Sequence, residues 1–193
     1  MSDEEIKIHR GLNNVYFDRT KTTYINGKEG VLEYRGYNIH DLSEKSSFEE
    51  VSYLLLYGKL PTKNELDAFN SSLKESREIP SQVIDIIRSI KDSHPMDVLR
   101  TAVSALSAFD EEASDKSYDA TMRKGIRLTS QVPTIVMAHN SIRNGKDPVD
   151  PSKELSHAAN FIYMLDGRIP SDSTASLMDK DFIVHADHGS NAS

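Results

Sequence analysis

The chain closes on His185-Ala-Asp187-His188-Gly-Ser-Asn191-Ala-Ser193, which gathers two imidazoles, a carboxylate and a carboxamide beside a glycine. Two histidines three apart with an acid between them can bind a small anion, ligate a metal or relay a proton. On a helix, His185 and His188 would share one face and could clamp a carboxylate. A metal would ask for a third and fourth ligand, and His9, His40, His94, His139 and His157 show no paired spacing that completes a set, so no metal is expected. A plainer alternative has one histidine capping a helix C-terminus and the other buried as a satisfied group. Gly189-Ser190-Asn191 favours ligand contact, since glycine admits close backbone approach and Ser and Asn offer neutral hydrogen bonds. The same triplet can equally stop a helix.

The segments that must hold these groups are mostly helical in pattern. Thr22 to Ile25 and Val31 to Tyr34 are β-prone and flank Asn26-Gly27, which predicts one N-terminal hairpin. Ser47 with Glu50, and Thr62 with Glu65, are spaced as capping boxes that open two helices, with Gly58 and Pro61 as stop signals between them. Ile79-Pro80 precedes a third helix carrying Val83 and Ile87. His94-Pro95 opens a fourth, carrying Leu99, Val103 and Leu106, where His94 has a structural place at the helix start. Asp110 to Ser117 reads as an exposed acidic loop, and Tyr118 to Ile142 resumes as a long helix. Arg100, Arg123, Arg127 and Arg143 are scattered as solvated surface groups usually are. Another helix is expected from Ser152 to Gly167, and a last one, capped within Ser171 to Thr174, carries Leu177, Met178, Phe182 and Val184 into the histidine pair.

Composition narrows the function classes. With 37% hydrophobic and 27% charged residues in 193, the chain is expected to be globular rather than disordered. A net charge of −7 and no basic stripe argue against a nucleic-acid partner. Zero cysteines exclude disulfides and thiol chemistry, and no segment reaches the length of a membrane span, so no membrane partner and a cytoplasmic address are expected. No glycine-rich phosphate loop or serine nucleophile motif is present.

Four strings carry a family likeness: Gly30-Val-Leu-Glu-Tyr-Arg-Gly36-Tyr-Asn-Ile, Glu50-Val-Ser-Tyr-Leu-Leu-Leu-Tyr-Gly58-Lys-Leu-Pro61-Thr, His94-Pro-Met-Asp-Val-Leu-Arg100-Thr and the terminal His185 to Ser193. In order and spacing they resemble the citrate synthase family, including 2-methylcitrate synthases, over about Gly11 to Ser193. The shorter archaeal and bacterial members look nearest. The resemblance implies a mainly α fold: part of a helical large domain over residues 20–193, with a short β-hairpin, an N-terminal segment over 1–19, and the small CoA-binding domain absent. It implies a homodimer in which the long segments Pro95 to Phe109 and Asp119 to Ile142 pack across the interface.

The activity implied is acyl transfer that condenses oxaloacetate with acetyl-CoA to citrate and CoA, with acetyl-CoA as co-substrate and no separate cofactor. By that resemblance His188 contacts oxaloacetate, with His185 beside it and Asn191 as a further contact. The family's Gly-Pro-Leu-His-Gly string, catalytic aspartate and oxaloacetate-holding arginines follow the terminal string and are not among these 193 residues, so no catalytic residue is assigned here. The chain alone is therefore expected to be inactive. Two alternatives stay open: a non-catalytic helical module that associates with itself or with a full-length homologue, and a metal-dependent hydrolase site at His185, Asp187 and His188.

Overall fold

A computed structural model describes residues 19–189. The expected hairpin forms from β1 (Thr23–Asn26) and β2 (Val31–Tyr34), antiparallel with Thr23 opposite Tyr34 and Asn26 opposite Val31. A two-residue strand β3 (Tyr37–Asn38) extends it into a three-stranded sheet, which the sequence pattern does not announce. The β2–β3 turn places Arg35 at φ +52° and Gly36 at φ +85°. Arg35 is held there by its guanidinium, whose Nη2 donates to the Leu55 carbonyl at 2.9 Å.

Among the described residues eight α-helices follow. The first, α1 (Ile39–Lys45), is capped by Asn38, whose side chain accepts from the His40 N–H. At seven residues it is too short to leave a periodic signature in the sequence. Helices α2 (Phe48–Tyr57) and α3 (Lys63–Glu75) both begin with the complete capping boxes expected of Ser47 with Glu50 and Thr62 with Glu65. Gly58 ends α2 at φ +80°, a left-handed conformation suited to glycine. Next come α4 (Ser81–Ser89) and α5 (Pro95–Leu106), the latter capped by the His94 ring, whose Nδ1 accepts from the Met96 N–H at 3.2 Å.

The long helix α6 (Tyr118–Arg143) runs 26 residues and continues through Pro133. Helix α7 (His157–Asp166) starts at its Ser156 cap, five residues later than the pattern predicted. The intervening Ser152 to Leu155 is irregular because its carbonyls bond to a distant arginine instead of to the next turn. Helix α8 (Asp172–Val184) begins at Ser171 as expected.

Packing divides between two main clusters. Val83 and Ile87 of α4, Val98, Ala102 and Leu106 of α5, and Ile135, Ala138 and Ile142 of α6 form one. The other joins the sheet to three helices through Tyr34, Ile39, Leu42, Val51, Leu54 and Ile183. Ile183 is fully buried, whereas Leu177, one of the apolar residues of the same helix, is 72% exposed. Burying such a side chain contributes about 1.5–3 kcal/mol, so Ile183 is what fixes the end of α8 to the sheet. No helix among the described residues is long and apolar enough to cross a membrane.

Candidate functional site

The terminal histidines sit where α8 stops. His185 occupies the C-cap, so His185 and His188 do not share a helical face. The His185 Nδ1 lies 2.9 Å from the Asp181 carbonyl, which can only accept; Nδ1 therefore carries a proton, and in the neutral ring Nε2 is left as an acceptor. That is the capping role anticipated for one of the two histidines. The other was expected to be buried in the same reading, but His188 is exposed, and its ring bonds no other described residue.

Asp187 holds this corner in place. Its carboxylate accepts from the Thr23 hydroxyl on β1 and, at 3.1 Å, from the Gly189 N–H. Its own N–H donates to the Tyr34 hydroxyl at 3.3 Å, and that hydroxyl donates onward to the Val184 carbonyl at 3.2 Å. Tyr34 is fully buried, and burial pushes its phenol up from the ordinary value, which keeps it neutral and able to play both parts. Burial pushes the Asp187 carboxyl up, but hydrogen bonds from Thr23, Thr22 and the Gly189 and His188 backbone outweigh it and hold the group below its usual range. The anchor is thus present at neutral pH and lost as pH falls through that lowered value. Asp187→Ala is expected to lower stability by about 1–2 kcal/mol, read as a shift of the urea midpoint at unchanged m-value. An unchanged midpoint would refute the anchoring role.

A cleft of about 330 Å³ opens beside the corner, with Phe48, Leu55, Leu56 and Phe182 as apolar walls, Ser52 and Thr129 as polar ones and His185 at its edge. A larger cavity, about 500 Å³, lies elsewhere, between α5, α6 and the Asp110 to Ala113 segment. Most of its charges are already committed. The Arg127 guanidinium binds both Asp110 oxygens and, at 2.8 Å, Glu112, while Arg123 also pairs with Glu112. These arginines draw the Glu112 carboxyl down to about 2. The acidic loop and two of the arginines, read from sequence as separate solvated groups, therefore form one paired cluster. The smaller cleft is the better candidate because it adjoins the His185 to His188 corner, with His185 itself at its edge.

Among the described residues no three histidines or carboxylates come together in a way that could hold a metal. Asn191 lies outside the described residues. Thr23 and Tyr34 are the site residues that sequence reasoning missed: both were recognised only as strand positions, and nothing local marks a bond to residues 150 or more positions away.

A family model described as citrate synthase, C-terminal domain, matches residues 11–193. The chain belongs to the citrate synthase family. Citrate synthase of Deinococcus radiodurans is 46% identical over 187 residues, which cover 96% of this chain and 50% of that protein. Among solved structures, citrate synthase of Pyrobaculum aerophilum aligns with a TM-score of 0.89 at 38% identity, over 93% of this chain and 47% of that one. Citrate synthase of Thermoplasma acidophilum, in a ternary complex with carboxymethyl coenzyme A and oxaloacetate, aligns with a TM-score of 0.87 at 26% identity, over 96% and 49%. The chain spans about half the length of these citrate synthases. Its helices, its small sheet and the strings that carry the resemblance are those of the family.

Proposed function

We propose that this chain provides the oxaloacetate-facing wall of a citrate synthase-type acyltransferase. The whole reaction joins the methyl carbon of acetyl-CoA to the keto carbon of oxaloacetate and releases citrate and CoA, with no cofactor beyond acetyl-CoA as co-substrate. His188 is the principal oxaloacetate contact, with both ring nitrogens available to the ligand's carboxylate or keto oxygen. His185 lies beside it, and Asn191 adds a carboxamide. The observation that carries this reading is the Asp187 anchor: a carboxylate bonded to Thr23, with the Tyr34 bridge, fixes an otherwise irregular corner and leaves the adjacent imidazole exposed. Placement of that kind is what a small dianion requires of its donors. The ternary complex of the Thermoplasma relative supports the choice of ligand.

Calorimetric titration with oxaloacetate tests the wall, and release of free thiol from acetyl-CoA plus oxaloacetate tests the chemistry. The expected results are binding that weakens about tenfold or more in His188→Ala, and no thiol release by the 193-residue chain alone. Absence of oxaloacetate binding overturns the first, and turnover by the chain alone overturns the second.

A second reading, that the chain pairs with a copy of itself, draws on α6. Leu128, Val132 and Val136 recur there every four residues, and Leu128 and Val136 are 39% and 37% exposed. Sedimentation equilibrium is expected to give a dimer mass, and a clean monomer at micromolar concentration removes this reading.

A further inference from the structure

We infer that Asp179 and Glu49 are positioning residues for the His185 to His188 corner, an inference that rests on reading that corner as the oxaloacetate wall. Each carboxylate caps a helix other than its own. Asp179, on α8, accepts from the Phe48 N–H at 3.2 Å, and Phe48 is the first residue of α2. Glu49, on α2, accepts from the His157 N–H at 2.8 Å, and His157 is the first residue of α7. In both helices the local cap serves a different donor: Ser47 takes the Glu50 N–H and Ser156 takes the Ala159 N–H. The first N–H, which is commonly left to water, is given to a carboxylate 131 positions away in one case and 108 in the other. The bonds run α8 to α2 to α7, and α7 packs back on α8 through Phe161 and Phe182, whose ring centroids are 5.2 Å apart.

The consequence is geometric. Helices α2 and α8 both line the 330 Å³ cleft, through Phe48 and Leu55 of α2 and Phe182 of α8 with its C-cap His185, and they meet where the Phe48 and Phe182 ring centroids lie 5.2 Å apart. The Asp179 to Phe48 bond therefore ties together two of the helices that line that cleft. Six residues separate Asp179 from His185, about 9 Å of helix rise, so the same bond fixes the height at which α8 delivers the corner. Asp179 keeps its place in unfavourable surroundings: burial pushes its carboxyl above the ordinary range, the Phe48 N–H opposes this, and the like charges of Glu49 and Glu50 add to it. A cap serving α2 alone would be met at lower electrostatic cost by the water or neutral acceptor usual at a helix start.

The experiment uses the 193-residue chain with 15N-labelled histidine. Asp179→Ala is expected to move the ring resonances of His185 and His188 and to weaken oxaloacetate about tenfold. Asp179→Asn, which keeps an acceptor oxygen at the same distance, is expected to restore both toward the wild-type values. Val83→Ala, in the α4 core, is expected to lower Tm while leaving those resonances in place. If Asp179→Ala loses stability but its histidine resonances superimpose on the wild type, Asp179 is merely structural and the inference is overturned. Should Asp179→Ala fail to fold, Asp179→Glu, which keeps the charge and adds a methylene, decides by the same comparison. The resonances are read without ligand, so a wild-type chain that binds no oxaloacetate defeats the functional reading and still leaves the positioning role to be decided.

Discussion

Arg77→Ala is expected to destabilise the chain by about 2–5 kcal/mol, since each buried carbonyl left without its donor costs about 1–3 kcal/mol. Arg77 is 1% exposed, although it stands in the irregular stretch between α3 and α4. Its Nη1 donates to the carbonyls of Ser152 and Leu155, the latter at 3.0 Å, and its positive charge faces Glu49. Its own backbone carbonyl accepts from the Thr134 hydroxyl on α6 at 2.8 Å. Truncation leaves two carbonyls without a donor and a void where the guanidinium lay. A surface arginine would cost under about 0.5 kcal/mol by the same change. Urea unfolding separates the two outcomes, and a loss below about 1 kcal/mol would show that the carbonyls find water instead. Lysine is expected to rescue the variant only in part: one nitrogen, Nη1, serves both carbonyls, but an ammonium is a compact, strongly hydrated charge that is costlier to bury than a guanidinium.

Arg77 also marks where reading from sequence ran out. Helix starts were legible because their chemistry is local: a hydroxyl and a carboxylate three residues apart define α2 and α3, and glycines at left-handed φ close α2 and α7. Strand β3, helix α1 and the true start of α7 were not, since two are too short to show a period and the third is set by Arg77 from 75 residues away. Charged residues read as solvated by default, and Glu49, Arg77 and His157 break that default together. Only the fold brings them within reach of one another, so no pattern in any single segment records the pairing.

The histidine corner shows the same division. His185, Asp187 and His188 stood out by residue type and spacing, and the end of α8 lies close to where it was expected. What the spacing could not supply was the role of the middle residue. Asp187 does not join the imidazoles in a triad; it turns away to Thr23 on β1, so the acid serves as anchor. The family resemblance supplied the ligand, and the anchor supplies a physical reason why the corner can hold one.

The second large effect is a dependence of stability on pH that runs through His157. The ring is 4% exposed, lies 4.9 Å from the Phe48 ring and 5.7 Å from that of Phe182, and its Nδ1 has no hydrogen-bond partner. Burial, with the Arg77 charge adding to it, pushes its pKa down to about 4. An unfolded histidine titrates near 6.5, so between these values the unfolded chain takes up a proton that the folded chain refuses, and stability falls as pH falls across that window. The loss attributable to this one group is about 3 kcal/mol by pH 4. Acidification also acts on carboxylates, among them Asp179, which burial holds above its ordinary value, so the informative quantity is the difference between wild type and His157→Phe. Phenylalanine keeps the ring packing and the backbone N–H from which Glu49 accepts, and gives up the two ring nitrogens, of which Nδ1 is buried without a partner. The two proteins are expected to be of similar stability at pH 7 and to diverge on acidification, with the variant ahead by about 3 kcal/mol at pH 4. Parallel curves would mean that the folded ring accepts its proton as readily as the unfolded one, and the pocket between α2, α7 and α8 would then have to open to water well before the chain unfolds.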